Sequence, residues 1–265
     1  MPLSFYWVDA FSDRLFAGNP AGVVPLNSWL SDEKMQQIAF ENGLAETAFF
    51  VPTANERFHL RWFTPKVEVN LCGHATLASG HVLFEVLKHP GERITFDSLS
   101  GALTVTKRTG RLQLDFPADH PVETTDPTLH QLVTRALGQP PLWLGLTSMD
   151  VFAVLSSEPA VAQLQPDHTA VAQAGMRGLI VTAPGSTDTD FVSRFFAPQS
   201  GVPEDPVTGS AHCALTGFWA GRLGRSVMHA KQLSPRGGEL WCELRGDRVL
   251  IAGHTKLYAS GQIHL

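Results

Sequence analysis

Two segments of the chain are apolar around most of the circumference that a helix presents. The first covers about residues 75–88 (ATLASGHVLFEVLK) and the second about 211–223 (AHCALTGFWAGRL). A helix that is apolar on nearly every side is buried rather than laid on a surface. The segments on either side of both helices have the patterns of short strands, so we expect two central helices, each surrounded by β-structure.

The surrounding pattern supports this arrangement. Alternating or continuous runs of β-branched and aromatic residues predict strands at 3–11, 20–26, 47–52, 57–65, 178–185 and 191–198, and hairpins that turn at 108–111 and 246–247. A short helix is predicted from Ser31 to Glu41, because Ser31 can cap its start and Gly43 follows its end. Residues 117–141 are rich in Pro, Thr and Asp and predict a linker region.

Length and charge limit the class of protein. A chain of 265 residues is too long for one small core and suits two lobes of roughly 130 residues each. We place the lobes at 1–118 and 119–265, and the last strand can pack on the first lobe. The 20 basic and 25 acidic residues give a net charge of −5, without basic runs that would favour nucleic acid.

Cysteine usage and hydropathy indicate the compartment. Three scattered cysteines are too few for a disulfide framework, and an odd number fits a reducing environment. The first residues lack the pattern of a signal peptide, and no apolar run approaches the roughly 18 residues of a membrane span. We expect a soluble cytoplasmic protein that binds neither membrane nor nucleic acid.

The residues that carry chemistry gather just before the two apolar helices. Cys72-Gly73-His74-Ala75 aligns with Thr208-Gly209-Ser210-Ala211, which suggests a duplicated lobe. A helix start offers unpaired N–H groups, and glycine lets a ligand approach the backbone. The helix starts at Gly73 and Gly209 can therefore bind a small carboxylate from both sides. The alternative is that both glycines only permit tight turns into the buried helices.

Three side chains near these helix starts are candidates for acid/base or positioning roles, and each has a structural alternative. Glu46 precedes an apolar strand, where a partly desolvated carboxylate is a useful general acid/base, but it also fits an exposed strand end. Asp205 can hold a polar substituent of a substrate or can cap the following helix. His74 can donate a hydrogen bond, move a proton or be a buried structural histidine.

Taken together, these segments resemble the PhzF-like phenazine-biosynthesis family, which shares the diaminopimelate epimerase fold. The matching sequences run from VDAF and GNPAGVV through LAETAF, LRWFTP and EVNLCGHAT to EDPVTGSAHCAL and RGGE, so the resemblance covers nearly the whole chain. GNPA alone is weak, whereas ETAF, RWFTP, LCGHAT and EDPVTGSAH in this order are specific.

The resemblance implies an α+β fold of two similar lobes, each a β-barrel-like sheet wrapped around a central helix. It implies an isomerase without metal or other cofactor, in which Glu46 moves a proton on a small conjugated or cyclic amino or hydroxy acid. His74 and Asp205 are implied as further catalytic residues, and Gly73, Gly209 and Ser210 as substrate-binding residues. A homodimer is also implied.

Other classes of function make different demands on the sequence. A two-thiol epimerase needs a cysteine at each helix start, but Thr208 stands where the second is required, and Cys213 lies further into the helix. Cys72 and Cys213 are therefore read as small buried apolar residues. Zinc-type spacing and a GxSxG elbow are both missing, so neither a metal site nor a serine hydrolase is expected. A non-catalytic binding protein on the same fold stays open.

Overall fold

The computed structural model describes residues 2–53, 57–186 and 188–265, and residues 1 and 54–56 of the predicted first lobe lie outside these ranges. The chain forms two units, the first made of Met1–Phe116 with Ile251–Leu265 and the second of Pro117–Leu250. Each unit combines many strands with one buried central helix. Among the described residues, no helix has the length and apolar character needed to cross a bilayer.

The first unit builds its sheet around the helix that the sequence places near residue 75. Its helices are α1 (Asp32–Asn42) and α2 (Gly73–His81), and its strands are β1 (Leu3–Ala10), β2 (Asn19–Pro25), β3 (Glu46–Pro52), β4 (Phe58–Phe63), β5 (Glu68–Val69), β6 (Arg93–Ser98), β7 (Gly101–Arg108), β8 (Arg111–Pro117) and β18 (Thr255–Ile263). Helix α2 contacts β1, β2, β3, β7 and β18, and its first eight residues are buried.

The second unit repeats the plan around another buried helix. Its helices are α3 (Pro127–Leu137), α4 (Glu158–Ala162), α5 (His168–Ala172) and α6 (Gly209–Leu223), and its strands are β9 (Val122–Glu123), β10 (Trp143–Leu146), β11 (Asp150–Val154), β12 (Gly178–Pro184), β13 (Phe191–Ala197), β14 (Val202–Asp205), β15 (Val227–Gln232) and β16 (Gly238–Arg245). Strand β17 (Arg248–Gly253) begins in this unit and continues past its last residue, Leu250. Helix α6 packs on β15 and β16, and its Trp219 stacks on Phe191 and donates to Thr182.

The order of strand pairing is the same in the two units. In the first, β1–β2 is antiparallel, β2–β3 parallel, β3–β4 and β4–β5 antiparallel, β4–β6 parallel and β6–β7 antiparallel. The second unit has the same series of antiparallel and parallel pairs in the same order, formed by β10–β11, β11–β12, β12–β13, β13–β14, β13–β15 and β15–β16. The predicted two similar lobes around central helices are therefore the fold of this chain.

An arginine–glutamate pair repeats with the strands. Arg61 on β4 binds Glu68 through two bonds of 2.7 Å, and Arg194 on β13 binds Glu204 through bonds of 2.7 and 2.8 Å. Each glutamate comes four residues before the N-cap of a central helix, Cys72 or Thr208. Because the bidentate geometry fixes the short strand, the pair positions the chain that leads into each helix.

Most predicted elements are confirmed, and two need correction. Residues 117–141 are not a linker, because they contain β9 and the eleven-residue helix α3. The missed signals are Asp126, which accepts from Thr128 N as the N-cap, and Gly138, which ends the helix at φ 69°. The helix predicted at 75–88 begins earlier, at Gly73, and continues after His81 as a π-helical turn over residues 82–86.

Candidate active site

Glu46 lies at the first position of β3, where its neighbour on β2 is Ala21. Its side chain is 19% exposed, and its Oε2 lies 3.2 Å from His74 Nε2. The same oxygen is buried and has no hydrogen-bond donor of good geometry among the described residues. Glu46 is thus neither an exposed strand-end residue nor a fully satisfied structural one.

His74 is the second residue of α2, and its ring is enclosed by polar groups of the first unit. Its Nδ1 lies 3.2 Å from Asn19 Nδ2 and 3.5 Å from Cys72 Sγ. An amide nitrogen only donates, so in this orientation Nδ1 accepts and the ring proton lies on Nε2, the nitrogen that is 3.2 Å from Glu46 Oε2. The opposite orientation of the same amide presents Oδ1, so Asn19 also suits a ring protonated at both nitrogens.

Asn19 reaches this position because of the glycine before it. Gly18 has φ +71°, and a Cβ added there would lie 2.3 Å from the Ala10 carbonyl oxygen. The close approach brings β2 against β1, and Asn19 begins β2 with its side chain fully buried. In the sequence Asn19 stands out only as part of the GNPA match, and the glycine before it is the signal for its position, because a side chain at residue 18 would strain the backbone.

Burial and charge act in opposite directions on the groups of this cluster. Burial lowers the pKa of His74, but negative charge on Cys72 and Glu46 raises it, and the net direction is well above 6.5. Burial raises the pKa of the Cys72 thiol. Burial thus favours the neutral form of the thiol, while the Glu46 carboxyl group beside the ring favours a protonated His74.

The residues predicted in the second unit surround the start of α6. Gly209 is the first residue of this helix. Asp205 ends β14, and its Oδ2 accepts a hydrogen bond of 2.5 Å from the Thr208 hydroxyl group. The capping alternative for Asp205 is wrong, because the N-cap position belongs to Thr208. The Thr208 N–H donates to Gln232 Oε1, and Gln232 Nε2 donates to the Asp205 carbonyl.

Ser210 contacts an ion pair, formed by Arg177 and Asp150, that no sequence motif indicates. Arg177 donates to Ser210 Oγ at 3.0 Å and binds both carboxylate oxygens of Asp150. Because Ser210 accepts this bond, its own hydroxyl proton remains available as a donor to a ligand. Arg177 and Asp150 are 27 residues apart in the chain, and only the parallel pairing of β11 with β12 brings them together.

The two thiols discussed as acid/base candidates are both buried. Cys213 Sγ lies 3.8 Å from the Gly209 carbonyl oxygen of its own helix, and burial raises its pKa to about 12. Cys72 stands at the N-cap of α2 and makes no side-chain capping bond. Their burial agrees with the reading as small apolar residues, although Cys72 also contacts His74.

Comparison with known proteins was made on both sequence and structure. The family model for phenazine biosynthesis-like proteins, PhzC-PhzF, matches residues 8–261. An uncharacterized isomerase of Pseudomonas aeruginosa is 55% identical over the whole of both chains. The crystal structure of a PhzF-family protein from Enterococcus faecalis matches with a TM-score of 0.93, at 43% identity over the full length of both chains.

A more distant structure confirms the fold alone. A hydroxyproline epimerase from Agrobacterium vitis has a TM-score of 0.64 at 10% identity, and the match covers 99% of this chain and 92% of the epimerase. The family model, the relatives named as isomerases and the structural match agree with one another over nearly all residues. The chain therefore belongs to the phenazine biosynthesis-like (PhzF) family, whose fold is that of the diaminopimelate epimerases.

Proposed function

We propose that this protein is an isomerase that moves a proton on a small cyclic or unsaturated amino or hydroxy carboxylic acid, with Glu46 as the general acid/base. The observation that carries the proposal is the buried contact between Glu46 Oε2 and His74 Nε2 at the start of α2. A carboxylate beside an imidazole in a largely desolvated position is suited to taking up and returning a proton. Relatives named as isomerases support the reaction class.

The duplicated frame supports a mechanism with one acid/base residue. By strand pairing, Glu46 on β3 corresponds to Gly178 on β12, because each is the first residue paired with the preceding parallel strand. By helix position, His74 corresponds to Ser210. The second unit thus has neither an acid nor an imidazole at the positions that hold them in the first. Glu46 then removes a proton from one carbon and returns it to another.

The other predicted residues take supporting roles in this proposal. His74 donates to the substrate or to Glu46, and the N–H groups at Gly73 bind a carboxylate oxygen. Asp205, Gly209 and Ser210 remain predicted substrate contacts, with Arg177 supplying positive charge beside Ser210. No metal and no organic cofactor is required by this chemistry, and we retain the prediction of a cytoplasmic homodimer.

Two alternatives predict different chemistry. A two-thiol epimerase would use thiolates, but burial raises the pKa of both Cys72 and Cys213, and Thr208 occupies the second thiol position. A binding protein without catalysis would keep the helix starts and move no proton. Measuring whether a compound exchanges a carbon-bound proton with solvent, and in which variants, distinguishes both alternatives from the proposal.

The experiment is deuterium uptake from D₂O, followed by mass spectrometry. The panel contains dihydro-3-hydroxyanthranilate, other small cyclic unsaturated acids and α-amino acids. Uptake by one compound is expected with the wild type, and a fall of order 10² or more is expected with Glu46→Gln. The matched control is Glu41→Gln, an exposed carboxylate on α1 that should leave uptake unchanged.

Three outcomes contradict parts of the proposal. Full uptake in Glu46→Gln removes Glu46 from the acid/base role. Uptake that survives in Glu46→Gln but disappears in Cys72→Ser supports the thiol mechanism instead. Binding of a panel compound without any uptake, measured by calorimetry, supports the non-catalytic alternative.

A further inference from the structure

Three side chains of types that bind transition metals meet in the first unit. One oxygen of Glu46, the sulfur of Cys72 and one ring nitrogen of His74 all lie within 4.8 Å of one another. In the described parts of the chain, no other group of three His, Cys, Asp or Glu side chains comes together in this way. The sequence spacing does not show the group, because Glu46 comes from β3 and the other two residues from the start of α2.

The chemistry of the three atoms fits Zn²⁺. Carboxylate oxygen, thiolate sulfur and imidazole nitrogen are its usual ligands, and three protein ligands with one water complete a tetrahedron. The usual bond lengths place neighbouring ligand atoms about 3.2–3.7 Å apart. Glu46 Oε2 and His74 Nε2 are 3.2 Å apart, and Cys72 Sγ lies 4.0 Å from His74 Nε2. The sulfur has to move towards Nε2 by about 0.3 Å, the difference between 4.0 Å and the upper end of this range.

The surroundings meet two further requirements of a metal site. The Nδ1 atom of His74 is held by the Asn19 amide, and with Oδ1 presented that amide accepts the Nδ1 proton while Nε2 binds a metal. Cys72 and His74 are nearly fully buried, whereas Glu46 is 19% exposed and provides the side from which an ion enters. The buried Glu46 Oε2 has no well-placed donor in the part of the chain that the structure describes, and is available as a ligand.

We propose that Glu46, Cys72 and His74 form a binding site for Zn²⁺, and that the bound ion blocks proton transfer by Glu46. On binding, the Cys72 thiol and the His74 ring, at Nε2, each release one proton to solvent, the Nδ1 proton stays on the ring facing Asn19 Oδ1, and the sulfur and Nε2 bond to the metal. The blocking part rests on the proposed function, since it assumes that Glu46 is the acid/base residue. The binding part does not depend on any substrate.

Co²⁺ is the probe for binding, because a thiolate bound to Co²⁺ gives a charge-transfer absorption that carboxylate and imidazole ligands do not give. Chelator-treated protein is titrated with Co²⁺, and we expect this band to appear at one equivalent and to disappear when Zn²⁺ displaces Co²⁺. Cys72→Ser should lose the band. Cys213→Ser, which removes another buried thiol at the start of a central helix, should keep it.

Further variants keep the test decisive if Cys72→Ser does not fold, as checked by circular dichroism. Glu46→Gln and His74→Gln each remove one ligand, and each should weaken Co²⁺ binding by about tenfold or more. Binding is overturned if the wild type shows no band, if Cys72→Ser retains it, or if neither ligand variant weakens it.

Inhibition is tested separately from binding. Once a compound that exchanges deuterium is known, one equivalent of Zn²⁺ should abolish uptake and a chelator should restore it. Stimulation of uptake, or no effect at saturating Zn²⁺, overturns the blocking role. Failure of the proposed function would appear as a missing deuterium signal in metal-free protein, and it would leave the Co²⁺ result unchanged.

Discussion

His74 Nε2 and Glu46 Oε2 lie 3.2 Å apart, and no equivalent pair exists at the corresponding positions of the second unit, which hold Ser210 and Gly178. The two units share their strand pairing and the arginine–glutamate pair before each central helix. They therefore share the frame but differ in the chemistry placed on it. This difference supports the proposal that the first unit transfers the proton and that the second helix start binds the ligand.

Replacing His74 tests whether it supports Glu46. In His74→Gln, the ring that faces Glu46 is lost, and we expect deuterium uptake to slow roughly 10- to 100-fold because the carboxylate is less well placed. The fall should appear mainly in kcat. The control is His81→Gln on the same helix, whose ring contacts Thr255 instead, and it should retain the wild-type rate. Equal effects of the two variants would mean that His74 acts only through the stability of α2.

Local signals in the sequence determine much of this fold. Ser31 accepts from Lys34 N and Gly43 has φ 61°, so the predicted helix at 31–41 forms with the predicted caps. The strand around Trp62 also alternates as expected, with Phe58 and Leu60 buried and His59 exposed. Such elements depend on neighbouring residues, which a sequence shows directly.

Contacts between distant strands could not be predicted in the same way. The Arg177–Asp150 pair needs the register of β11 against β12, and Gln232 reaches the start of α6 from β15. None of these three residues carries a local sequence pattern that indicates its partner. Sequence motifs indicate Glu46 and His74 as candidates, but their mutual contact and the place of Asn19 beside them depend on tertiary structure.

The Arg177–Asp150 pair should stabilise the second unit. The Asp150 side chain is 3% exposed, so Arg177→Met leaves a buried carboxylate without its partner, and we expect a loss of about 3 kcal/mol in the free energy of unfolding. Arg245→Met removes a pair with Glu243 whose side chains are 61% and 31% exposed, and it should cost less than about 1 kcal/mol. Denaturant unfolding measures both.

A double variant gives the outcome that would contradict this assignment. Adding Asp150→Asn to Arg177→Met removes the uncompensated charge and should recover part of the lost stability. If the double variant is as unstable as the sum of the single ones, the cost arises from lost packing of the arginine and not from the buried charge.

Gly80 in α2 should not tolerate a methyl group. A Cβ at this position would lie 2.7 Å from Val105 Cγ1 on β7, so Gly80→Ala should destabilise the protein by about 1–3 kcal/mol despite its better helix propensity. Gly221→Ala, in α6, meets no atom within 4 Å and should be neutral or stabilising by about 0.5–1 kcal/mol. Thermal unfolding of the two variants distinguishes the cases. Adding Val105→Ala to Gly80→Ala should remove the clash and recover part of the lost stability. If the destabilising effects of the two substitutions simply add in the double variant, the clash is not the cause.

His212 should make the stability of the protein depend on pH. Its ring is fully buried in α6, with Nδ1 2.8 Å from the Thr208 carbonyl oxygen, and burial lowers its pKa to about 4. The unfolded chain binds a proton near the ordinary value of 6.5, so the folded state loses stability as the pH falls through 6.5 towards 4. Between about pH 7 and pH 5 the expected loss from this residue is about 2 kcal/mol.

The contribution of His212 is isolated by comparing the wild type with His212→Asn, whose amide can still donate to the Thr208 carbonyl but does not titrate. The variant is expected to lose stability at neutral pH, because the smaller side chain packs less well beside Phe191. The gap between the two proteins should narrow by about 2 kcal/mol at about pH 5, since only the wild type carries the cost of a buried neutral histidine. Denaturant unfolding at both pH values measures this gap. A gap that stays constant would show that His212 takes up its proton equally well in the folded and unfolded states, and that burial in α6 does not control its charge.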